Sequence, residues 1–336
     1  MGVPAVPIGR RVPVVVIGAS LAGLAVAGRL ALVGHRVVLH ERRDRISALA
    51  PSVIDLPAAW RDSFRKSGRP LDLELQTLGL QWRPAPPTDY GVLLLPHSRG
   101  EQWETLGTRW GEPVARRWQD FLDSTDQVWQ AMRPLGIESE LSDPRLDRRT
   151  RQAIGWRRSL ADLAAALHHD GLAELLTAIA AEHDTDPRWL PGWYATRHSI
   201  RRTFGRWQLV DAHGRTDNQA LVGLLRRRLD KRGVELRLGS AIDSPSTVTP
   251  AELAAAAVVD CTGGDRIDWR GRRTWVGLEP TTREPGRYYA GPRTRAGSEP
   301  WAQLMSAAVA AYAVHSHRTG EDIRPVRKAT PRRRLI

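Results

Sequence analysis

Residues 14–42 constrain the fold of this chain more strongly than any other segment. Val14–Ile17 form a short β-branched run of the kind that a strand buried on both faces needs. A glycine-containing turn follows, and then the mostly small, apolar stretch Leu21–Leu32, which is typical of a buried helix. A second apolar run ends at Glu41. This order of strand, glycine turn, helix, strand and acidic residue predicts one βαβ unit.

The turn between the first strand and the helix carries the pattern of a phosphate-binding loop. Gly18 can turn the chain sharply, and Gly23 allows the helix to pack closely against the strand. Ser20 stands where the usual pattern has a middle glycine; its hydroxymethyl group takes up room near the phosphates but can donate a hydrogen bond. The unpaired N–H groups at the helix start, at Leu21 and Ala22, favour an anion. The loop therefore predicts a pyrophosphate site.

The acidic residue at the end of the second strand completes the pattern. Glu41 is placed where a carboxylate can accept hydrogen bonds from a ribose diol, and Arg42 follows it. We therefore expect the unit to bind a dinucleotide, and Glu41 argues against NADP because it would repel the additional phosphate. A βαβ unit that binds nothing is the alternative.

Charge and cysteine content limit the classes of partner and site. The formal net charge is +13, but lysine occurs only at Lys66, Lys231 and Lys328, so scattered arginine supplies nearly all of it. No known nucleic-acid-binding motif accompanies this charge, so we expect no nucleic-acid partner. Cys261 is the only cysteine, which excludes an intrachain disulfide; its apolar surroundings predict burial rather than nucleophilic chemistry. The segment 168–170 suggests a solvated helix end rather than a metal site, and we expect no metal.

The sequence predicts a cytoplasmic protein without a transmembrane segment. Arg29 and Glu252 interrupt the longest apolar runs, and residues 1–11 lack the apolar core of a signal peptide. The basic tail, residues 321–336, is expected to be disordered, and peripheral contact with anionic lipid stays open. The oligomeric state is left open.

Residues 51–204 interrupt the α/β pattern with a mainly helical segment. Apolar periodicity predicts helices over 56–66, 113–132, 160–167 and 172–181. The segment is rich in tryptophan, with Trp60, Trp82, Trp103, Trp110, Trp118, Trp129, Trp156, Trp189 and Trp193. We expect these side chains mainly to fill a helical core, and the alternative is that they line a cavity for a flat or lipophilic substrate.

The α/β pattern returns over residues 205–320. The predicted elements are a helix over 218–232, a strand over 235–238, a helix near 251–256, strands over 257–261 and 288–290, and a helix over 301–317. Thr262 and Gly263 follow a buried strand directly, and ligands of open α/β sheets bind at that edge. The start of the last helix offers a second site that favours negative charge.

The order of these segments resembles that of the two-dinucleotide-binding flavoproteins, within them the phytoene desaturase and amine oxidase group. The stretches that carry the likeness lie, besides the first βαβ unit, at 53–75, 159–191, 204–211, 225–242, 256–264 and 288–308. The stretch 256–264, AAVVDCTGG, resembles the strand and turn that flank the isoalloxazine. The stretch 288–308, YYAGPRTRAGSEPWAQLMSAA, resembles the C-terminal FAD motif of that group. The likeness covers residues 12 to 320, and its specific motifs lie at the two ends.

The resemblance implies an α/β fold in which a Rossmann-like FAD-binding domain (10–50 and 205–320) carries an inserted, mainly helical substrate or cap domain (51–204). It implies bound FAD and an FAD-dependent oxidoreductase that dehydrogenates a small or lipophilic substrate. Gly18, Ser20 and Gly23 would lie at the pyrophosphate and Glu41 at the adenosine ribose. The remaining residues that the resemblance places at the cofactor are Leu21, Ala22, Arg42, Ile242 beside the adenine, and Thr262, Gly263, Gly291 and Arg293 on the flavin side.

Three departures from the family pattern leave two alternatives open. Residues 42–52 lack the usual Gly-Gly-Arg-like turn, and the span between Gly264 and Tyr288 is short. Pro292 replaces an expected aspartate, which removes a carboxylate and an N–H group. A compact enzyme explains these departures, and so does a non-catalytic flavin-binding relative that serves as a partner or scaffold. An NAD-dependent dehydrogenase is the further alternative, but it leaves the glycine-rich motif at the far end unexplained.

Overall fold

The computed structural model describes residues 12–46, 48–141, 143–242, 257–263 and 267–325. The predicted helix near 251–256 lies outside these ranges, as does most of the predicted tail, residues 326–336. Gly264, the last residue of the AAVVDCTGG stretch, lies outside them as well.

Short strands and longer helices alternate along the described ranges. The strands are β1 (Val14–Ile17), β2 (Val37–His40), β3 (Ile54–Asp55), β4 (Gln81–Pro84), β5 (Thr88–Asp89), β6 (Leu94–Leu95), β7 (Arg206–Val210), β8 (Glu235–Arg237), β9 (Val258–Asp260), β10 (Thr282–Glu284) and β11 (Arg287–Tyr289). The helices are α1 (Leu21–Leu32), α2 (Pro57–Arg65), α3 (Leu71–Thr77), α4 (Arg99–Trp110), α5 (Glu112–Met132), α6 (Arg148–Ala153), α7 (Leu160–Ala165), α8 (Asp170–Glu182), α9 (Thr196–Phe204), α10 (Ala220–Lys231), α11 (Arg272–Gly277) and α12 (Pro300–Thr319). A 3₁₀ turn at Gly192–Ala195 precedes α9.

The main sheet is parallel except at one edge. Its strand order is β10-β11-β9-β1-β2-β8, and the outermost pair, β10 and β11, is antiparallel. The central strand β1 pairs in parallel with β2, Val14 opposite Val37, and with β9, Val15 opposite Val258. All residues of β1 and β2 are buried, as strands covered on both faces require. The predicted fold class is confirmed: the chain is mixed α/β with a Rossmann-like parallel sheet.

Helix α1 is buried along most of its length because its residues are small or apolar. It contacts α12 and α10, and the predicted bounds agree with the observed ones. Arg29 is its only charged residue, and its guanidinium Nη2 lies 2.5 Å from Asp62 Oδ2 on α2. The partner satisfies the buried charge, so the sequence of α1 tolerates one arginine in an otherwise apolar surface.

A second, antiparallel sheet joins the two predicted regions of the chain. Its order is β3-β7-β4, with Ile54 opposite Trp207 and Trp82 opposite Leu209. Strands β3 and β4 come from the predicted segment 51–204, whereas β7 comes from the predicted segment 205–320. Backbone pairing therefore joins β7, which follows the predicted boundary between residues 204 and 205, to two strands that precede it; the boundary itself stays a prediction.

The mainly helical segment, residues 51–204, which we call the helical layer, contains most of the tryptophan side chains. Trp60 and Trp118 are fully buried, and Trp193 is 2% exposed. The expectation that tryptophan fills the core is confirmed at Trp60 and Trp118, whereas the buried Trp193 borders a cavity and Trp189 is 51% exposed. Helices predicted over 56–66, 113–132, 160–167 and 172–181 correspond to α2, α5, α7 and α8.

Helix α9 was not predicted because its sequence is almost wholly polar, yet it is buried. Arg197, His198, Arg201 and Arg202 are each less than 9% exposed. Arg201 pairs with Glu182, with Nη2 at 2.5 Å from Oε2. Burial lowers the pKa of His198 to about 3, so this imidazole is neutral at pH 7. Periodicity reasoning assigns arginine to the surface, and only the acidic partners brought by other helices make this burial possible.

Candidate functional site

The carboxyl ends of β1, β2 and β9 open into a cavity of about 500 Å³, which we call the sheet-edge cavity. Ligands of open α/β sheets bind at this edge, and the volume lies within the range of small-molecule sites. Eight of the twelve residues predicted to contact a cofactor line it, namely Gly18, Ser20, Leu21, Glu41, Arg42, Ile242, Thr262 and Gly263. Four do not line it, namely Ala22, Gly23, Gly291 and Arg293.

The floor of the cavity is the turn that follows β1. Gly18 has φ +93°, which L side chains rarely adopt, and its N–H donates to the carbonyl oxygen of His40 at 2.7 Å. A Cβ on Gly23 would lie 2.0 Å from the Gly18 carbonyl oxygen, so only glycine allows α1 to start this close to the turn. Gly23 thus acts by packing from behind the turn, as the glycine pattern predicts.

Helix α1 begins at the floor of the cavity and directs its first N–H groups there. Ser20 is its N-cap, and the side-chain Oγ accepts from the N–H of Gly23 at 3.3 Å. The first N–H groups of a helix, here those of Leu21 and Ala22, have no intrahelical acceptor. They give the cavity a donor pair and the positive end of the helix dipole, which suits a pyrophosphate.

The hydroxyl of Ser20 donates to the backbone of a neighbouring turn. It donates to the carbonyl oxygen of Cys261 at 3.0 Å, across the gap between the β1 and β9 turns. A phosphate would have to replace this bond to receive the hydroxyl hydrogen, so the donor role of Ser20 towards a phosphate stays a prediction. Ser20 ties β9 to the start of α1. Cys261 is fully buried, and burial raises the pKa of its thiol well above the usual value, which agrees with the predicted apolar role.

Glu41 closes one end of the cavity with a buried carboxylate. Its Oε2 accepts from the N–H of Ala19 at 2.8 Å, and its Oε1 accepts from the N–H of Arg43 at 3.1 Å. Each carboxylate oxygen has a further lone pair, so the group can still accept from a ribose diol. The same carboxylate therefore fixes the turn after β1 to the end of β2, and its remaining lone pairs stay available to a ligand.

The segment after β8 forms the adjoining wall. The N–H of Ser240 donates to the carbonyl oxygen of Glu41 at 2.8 Å, and the N–H of Gly239 donates to that of Arg43 at 2.7 Å. His40 Nδ1 lies 2.9 Å from Ser240 Oγ. These bonds bring Ile242 to the cavity, where the resemblance places it beside an adenine.

The opposite wall comes from the C-terminal third of the chain. Thr262 follows β9, and both its N–H (2.8 Å) and its hydroxyl (2.5 Å) donate to Asp260 Oδ1. A Cβ on Gly263 would lie 2.8 Å from Cδ of Pro292, so the proline ring packs directly on this turn. Pro292 lines the cavity where the flavoprotein pattern has a carboxylate, and it offers neither a carboxylate nor an N–H group.

Gly291 and Arg293, on either side of Pro292, stand back from the cavity. Gly291 has φ +103°, and its N–H donates to Ser306 Oγ at 2.9 Å, which ties the turn to α12. Arg293 has a half-exposed side chain whose Nη2 lies 3.9 Å from Glu279 Oε1. In this structure the Arg293 side chain therefore lies near Glu279 and does not line the cavity.

Sequence reasoning missed several lining residues, of which Gln303 is the most informative. It lies in the first turn of α12, and its Nε2 donates to the carbonyl oxygen of Ser298 at 2.9 Å. Because a carbonyl must accept from a donor, this bond fixes the amide and leaves Oε1 as an acceptor. The only sequence signal was its place one turn into a helix that begins at the site. The other lining residues not predicted are Ile17, His40, Arg43, Ala48, Leu49, Ser240, Cys261, Pro292 and Pro300.

A largely buried ion pair anchors the start of α12. Glu299, the residue before the helix, pairs through Oε1 with Nε of Arg197, and His183 Nε2 lies 3.8 Å from the same oxygen. Burial opposes ionisation of Glu299, but Arg197 and His183 outweigh it, so the pKa of this carboxyl lies below its usual value. Glu299 is therefore ionised at neutral pH, and the pair fixes the helix whose first turn lines the cavity.

Two other features of the described ranges bear on the predicted classes of function. His169 caps α8 by accepting from the N–H of Leu172 at 3.2 Å, so it has a structural role at a helix start. Within the described ranges, no three histidine, cysteine, aspartate or glutamate side chains come together in a way that could hold a metal ion. None of the helices in that part of the chain combines the length and hydropathy of a membrane span.

Comparisons with known proteins agree with this reading of the N-terminal unit. The family described as NAD(P)-binding Rossmann-like domain matches residues 16–84. The chain therefore contains a Rossmann-like domain of the dinucleotide-binding type. No curated protein sequence matches the chain.

Similar solved structures are distant. An oxidoreductase from Methanosarcina mazei is 16% identical, with 75% of this chain and 59% of that one covered and a TM-score of 0.37. A Rab GDI from Plasmodium falciparum is 12% identical, with 67% and 57% covered and a TM-score of 0.34. A putrescine oxidase variant with redesigned cofactor binding is 15% identical, with 67% and 50% covered and a TM-score of 0.28. The chain spans between half and three fifths of the length of these proteins.

Proposed function

We propose that this chain is an FAD-dependent oxidoreductase of the cytoplasm that dehydrogenates a small or lipophilic substrate. The observation that carries the proposal is that one cavity is lined from two distant parts of the chain. Gly18 and Glu41 come from the N-terminal unit, whereas Thr262 and Gln303 come from the C-terminal third. An NAD-dependent dehydrogenase would use the same βαβ unit, but it leaves the glycine-rich motif at 288–308, near the far end of the chain, unexplained.

The residues of the sheet-edge cavity fit the adenosine and pyrophosphate half of FAD. The N–H groups at the start of α1 would hold the pyrophosphate, and the Glu41 carboxylate would accept from the ribose. Ile242 would pack beside the adenine. Bound FAD would supply the acceptor for a hydride, so the protein needs to position and dehydrate the substrate rather than provide a nucleophile.

The residues on the flavin side fit through backbone and amide groups instead of a carboxylate. The first turn of α12 lines the cavity through Pro300 and Gln303, and its dipole favours negative charge there. Gln303 Oε1 would accept from a ribityl hydroxyl at the end of the cavity where Pro292 offers no polar group. The Glu299–Arg197 pair would hold this turn in place.

A non-catalytic flavin-binding protein is the second candidate. Pro292 favours it, because the ring packs on Gly263 where the flavoprotein pattern has a carboxylate for the cofactor. A protein that only binds FAD needs the adenosine contacts and can lose contacts on the flavin side.

One experiment separates these candidates. The protein is purified, its visible spectrum is recorded, and the cofactor released on denaturation is identified by mass spectrometry. We expect FAD and a flavin band that bleaches under anaerobic conditions with lipophilic amine or alkene substrates. A flavin band that no substrate bleaches supports the scaffold, and a colourless protein that binds NAD overturns the proposal.

A further inference from the structure

A second cavity, of about 330 Å³, lies in the helical layer and shares no lining residue with the sheet-edge cavity. We call it the helical-layer cavity. Its walls come from α5, the end of α6, α7 and the 3₁₀ turn at Gly192–Ala195. Close-packed interiors contain few voids larger than a water molecule, whereas this volume lies at the lower end of small-molecule sites. The cavity is therefore large enough to be a ligand site.

The inner part of the cavity is apolar. Ile154, Leu167 and Trp193, which form its inner wall, are each no more than 3% exposed. Phe121, Val128 and Leu163 extend the apolar lining towards the mouth. An alkyl or aromatic group that enters would exchange water for contacts with these side chains, which is favourable.

The hydroxyl groups in the lining are already used by the backbone. Ser124 Oγ, Thr125 Oγ1 and Thr196 Oγ1 each donate to the carbonyl oxygen three residues earlier, at 2.6, 2.8 and 2.7 Å. They therefore present no free donor to a ligand. Polar recognition has to come from the mouth of the cavity.

The mouth carries one charge, that of Arg158. Among the residues that the structure describes, no aspartate or glutamate lines the cavity, and Arg158, which does line it, is exposed. Within the described ranges no carboxylate lies within ion-pair distance of Arg158. Its acidic neighbour is Asp162, which accepts from the N–H of Ser159 at 2.7 Å; this bond and, to a smaller extent, the charge of Arg158 lower the pKa of Asp162. A guanidinium at the entrance of an apolar cavity complements a molecule with one anionic end.

We propose that the helical-layer cavity binds an amphiphile with a single anionic head group, of the kind of a medium-chain carboxylate. The alkyl chain lies against Ile154, Leu167 and Trp193, and the carboxylate pairs with Arg158. This site goes beyond the proposed function and does not rest on it, because it shares no residue with the cofactor cavity and needs no flavin.

The test uses the purified full chain and a fluorescent dansylated undecanoic acid, displaced by decanoate or by decanol. We expect saturable displacement at one site per chain and tighter binding of decanoate than of decanol. Arg158→Gln weakens decanoate about tenfold, since it removes a charge-assisted pair, and leaves decanol unchanged. Arg157→Gln is the matched control, an exposed neighbour that does not line the cavity.

A second pair of variants tests the cavity itself. Ala166→Trp fills the mouth and abolishes displacement by both compounds, whereas Ala165→Trp, on an exposed neighbour outside the lining, leaves both unchanged. All four positions are exposed, so the variants keep the fold, which circular dichroism checks. The proposal is overturned if the wild-type chain shows no saturable binding or prefers decanol. Equal effects of the two arginine variants, or of the two tryptophan variants, overturn it as well.

Discussion

The sheet-edge cavity and the helical-layer cavity have opposite linings. The first is built from backbone N–H groups, a buried carboxylate and glycine turns at the ends of parallel strands. The second is built from apolar side chains, with one arginine at its mouth. The first can recognise a phosphorylated ligand by hydrogen bonds of fixed geometry, and the second can hold an apolar group by contact area. The backbone geometry of the first cavity is encoded in short stretches of sequence, whereas the apolar contact area of the second requires several helices to pack together.

The Arg197–Glu299 ion pair, which lies between the two cavities, gives the largest expected effect on stability. Thr196 lines the helical-layer cavity, Pro300 lines the sheet-edge cavity, and the Arg197–Glu299 pair connects the residues next to them. Glu299→Gln leaves the charge of Arg197 without its partner, so we expect a loss of about 3 kcal/mol in the free energy of unfolding at pH 7. Urea denaturation measures this loss.

The pH dependence of this effect has a definite sign. Because the pKa of Glu299 is lower in the folded chain, its stabilisation is present above pH 4.5 and is lost as the pH falls through the folded-state pKa. The difference between wild type and Glu299→Gln should therefore shrink towards pH 3. The control Glu112→Gln removes an exposed pair with Arg116 and should change stability by no more than about 0.5 kcal/mol. A constant difference across this pH range would contradict the assignment.

The next effect falls on the sheet-edge cavity alone. Gly23→Ala places a Cβ 2.0 Å from the Gly18 carbonyl oxygen, so the turn must move. We expect a loss of about 2 kcal/mol in stability and the loss of FAD binding, with decanoate binding retained. Gly107→Ala, in a helix with no atom near the new Cβ, should instead stabilise the chain by up to about 1 kcal/mol. If Gly23→Ala kept its affinity for FAD, the turn after β1 would not be the cofactor site.

Removal of the proposed ribose acceptor, Glu41, is expected to have a smaller effect on binding. Glu41→Gln replaces a carboxylate that accepts from Ala19 and Arg43. We expect FAD to bind about 20-fold more weakly, as for the loss of a hydrogen bond to a charged group. Fluorescence titration with FAD measures this change. Glu235→Gln, on a half-exposed glutamate of β8, serves as the control, and equal affinities in the two variants would remove Glu41 from the site.

The smallest expected effect, on FAD affinity, distinguishes the flavin side of the sheet-edge cavity from its adenosine side. Gln303→Leu removes the proposed acceptor on the flavin side, so FAD should bind about fivefold more weakly while ADP binds as in the wild type. Competition titrations with both nucleotides distinguish the two halves. Gln127→Leu, at an exposed position of α5, should change neither affinity. If ADP weakens together with FAD, Gln303 does not act on the flavin half.

The success of sequence reasoning differs between these regions for a physical reason. The βαβ unit was predicted almost to the residue, because Gly18, Gly23 and Glu41 act through neighbours close in sequence. Helix α9 was missed, because its arginines are buried only with the help of Glu182, Asp123 and Glu299. The short strands β3, β5 and β6 were missed as well, since two-residue strands carry no alternation that a pattern can reveal.

The amino-acid sequence by itself determined the parallel α/β sheet, the glycine turn after β1 and the acidic end of β2, because each depends on local backbone geometry and a short apolar period. The tertiary structure alone decided that Pro292 packs on Gly263, that the Ser20 hydroxyl turns to Cys261, and that Gln303 joins the cavity. These contacts join residues far apart in the chain. The pairing of β1 with β9 and of β9 with β11 sets the first two, and the packing of the last helix against the first sets the third; no local pattern encodes these long-range arrangements.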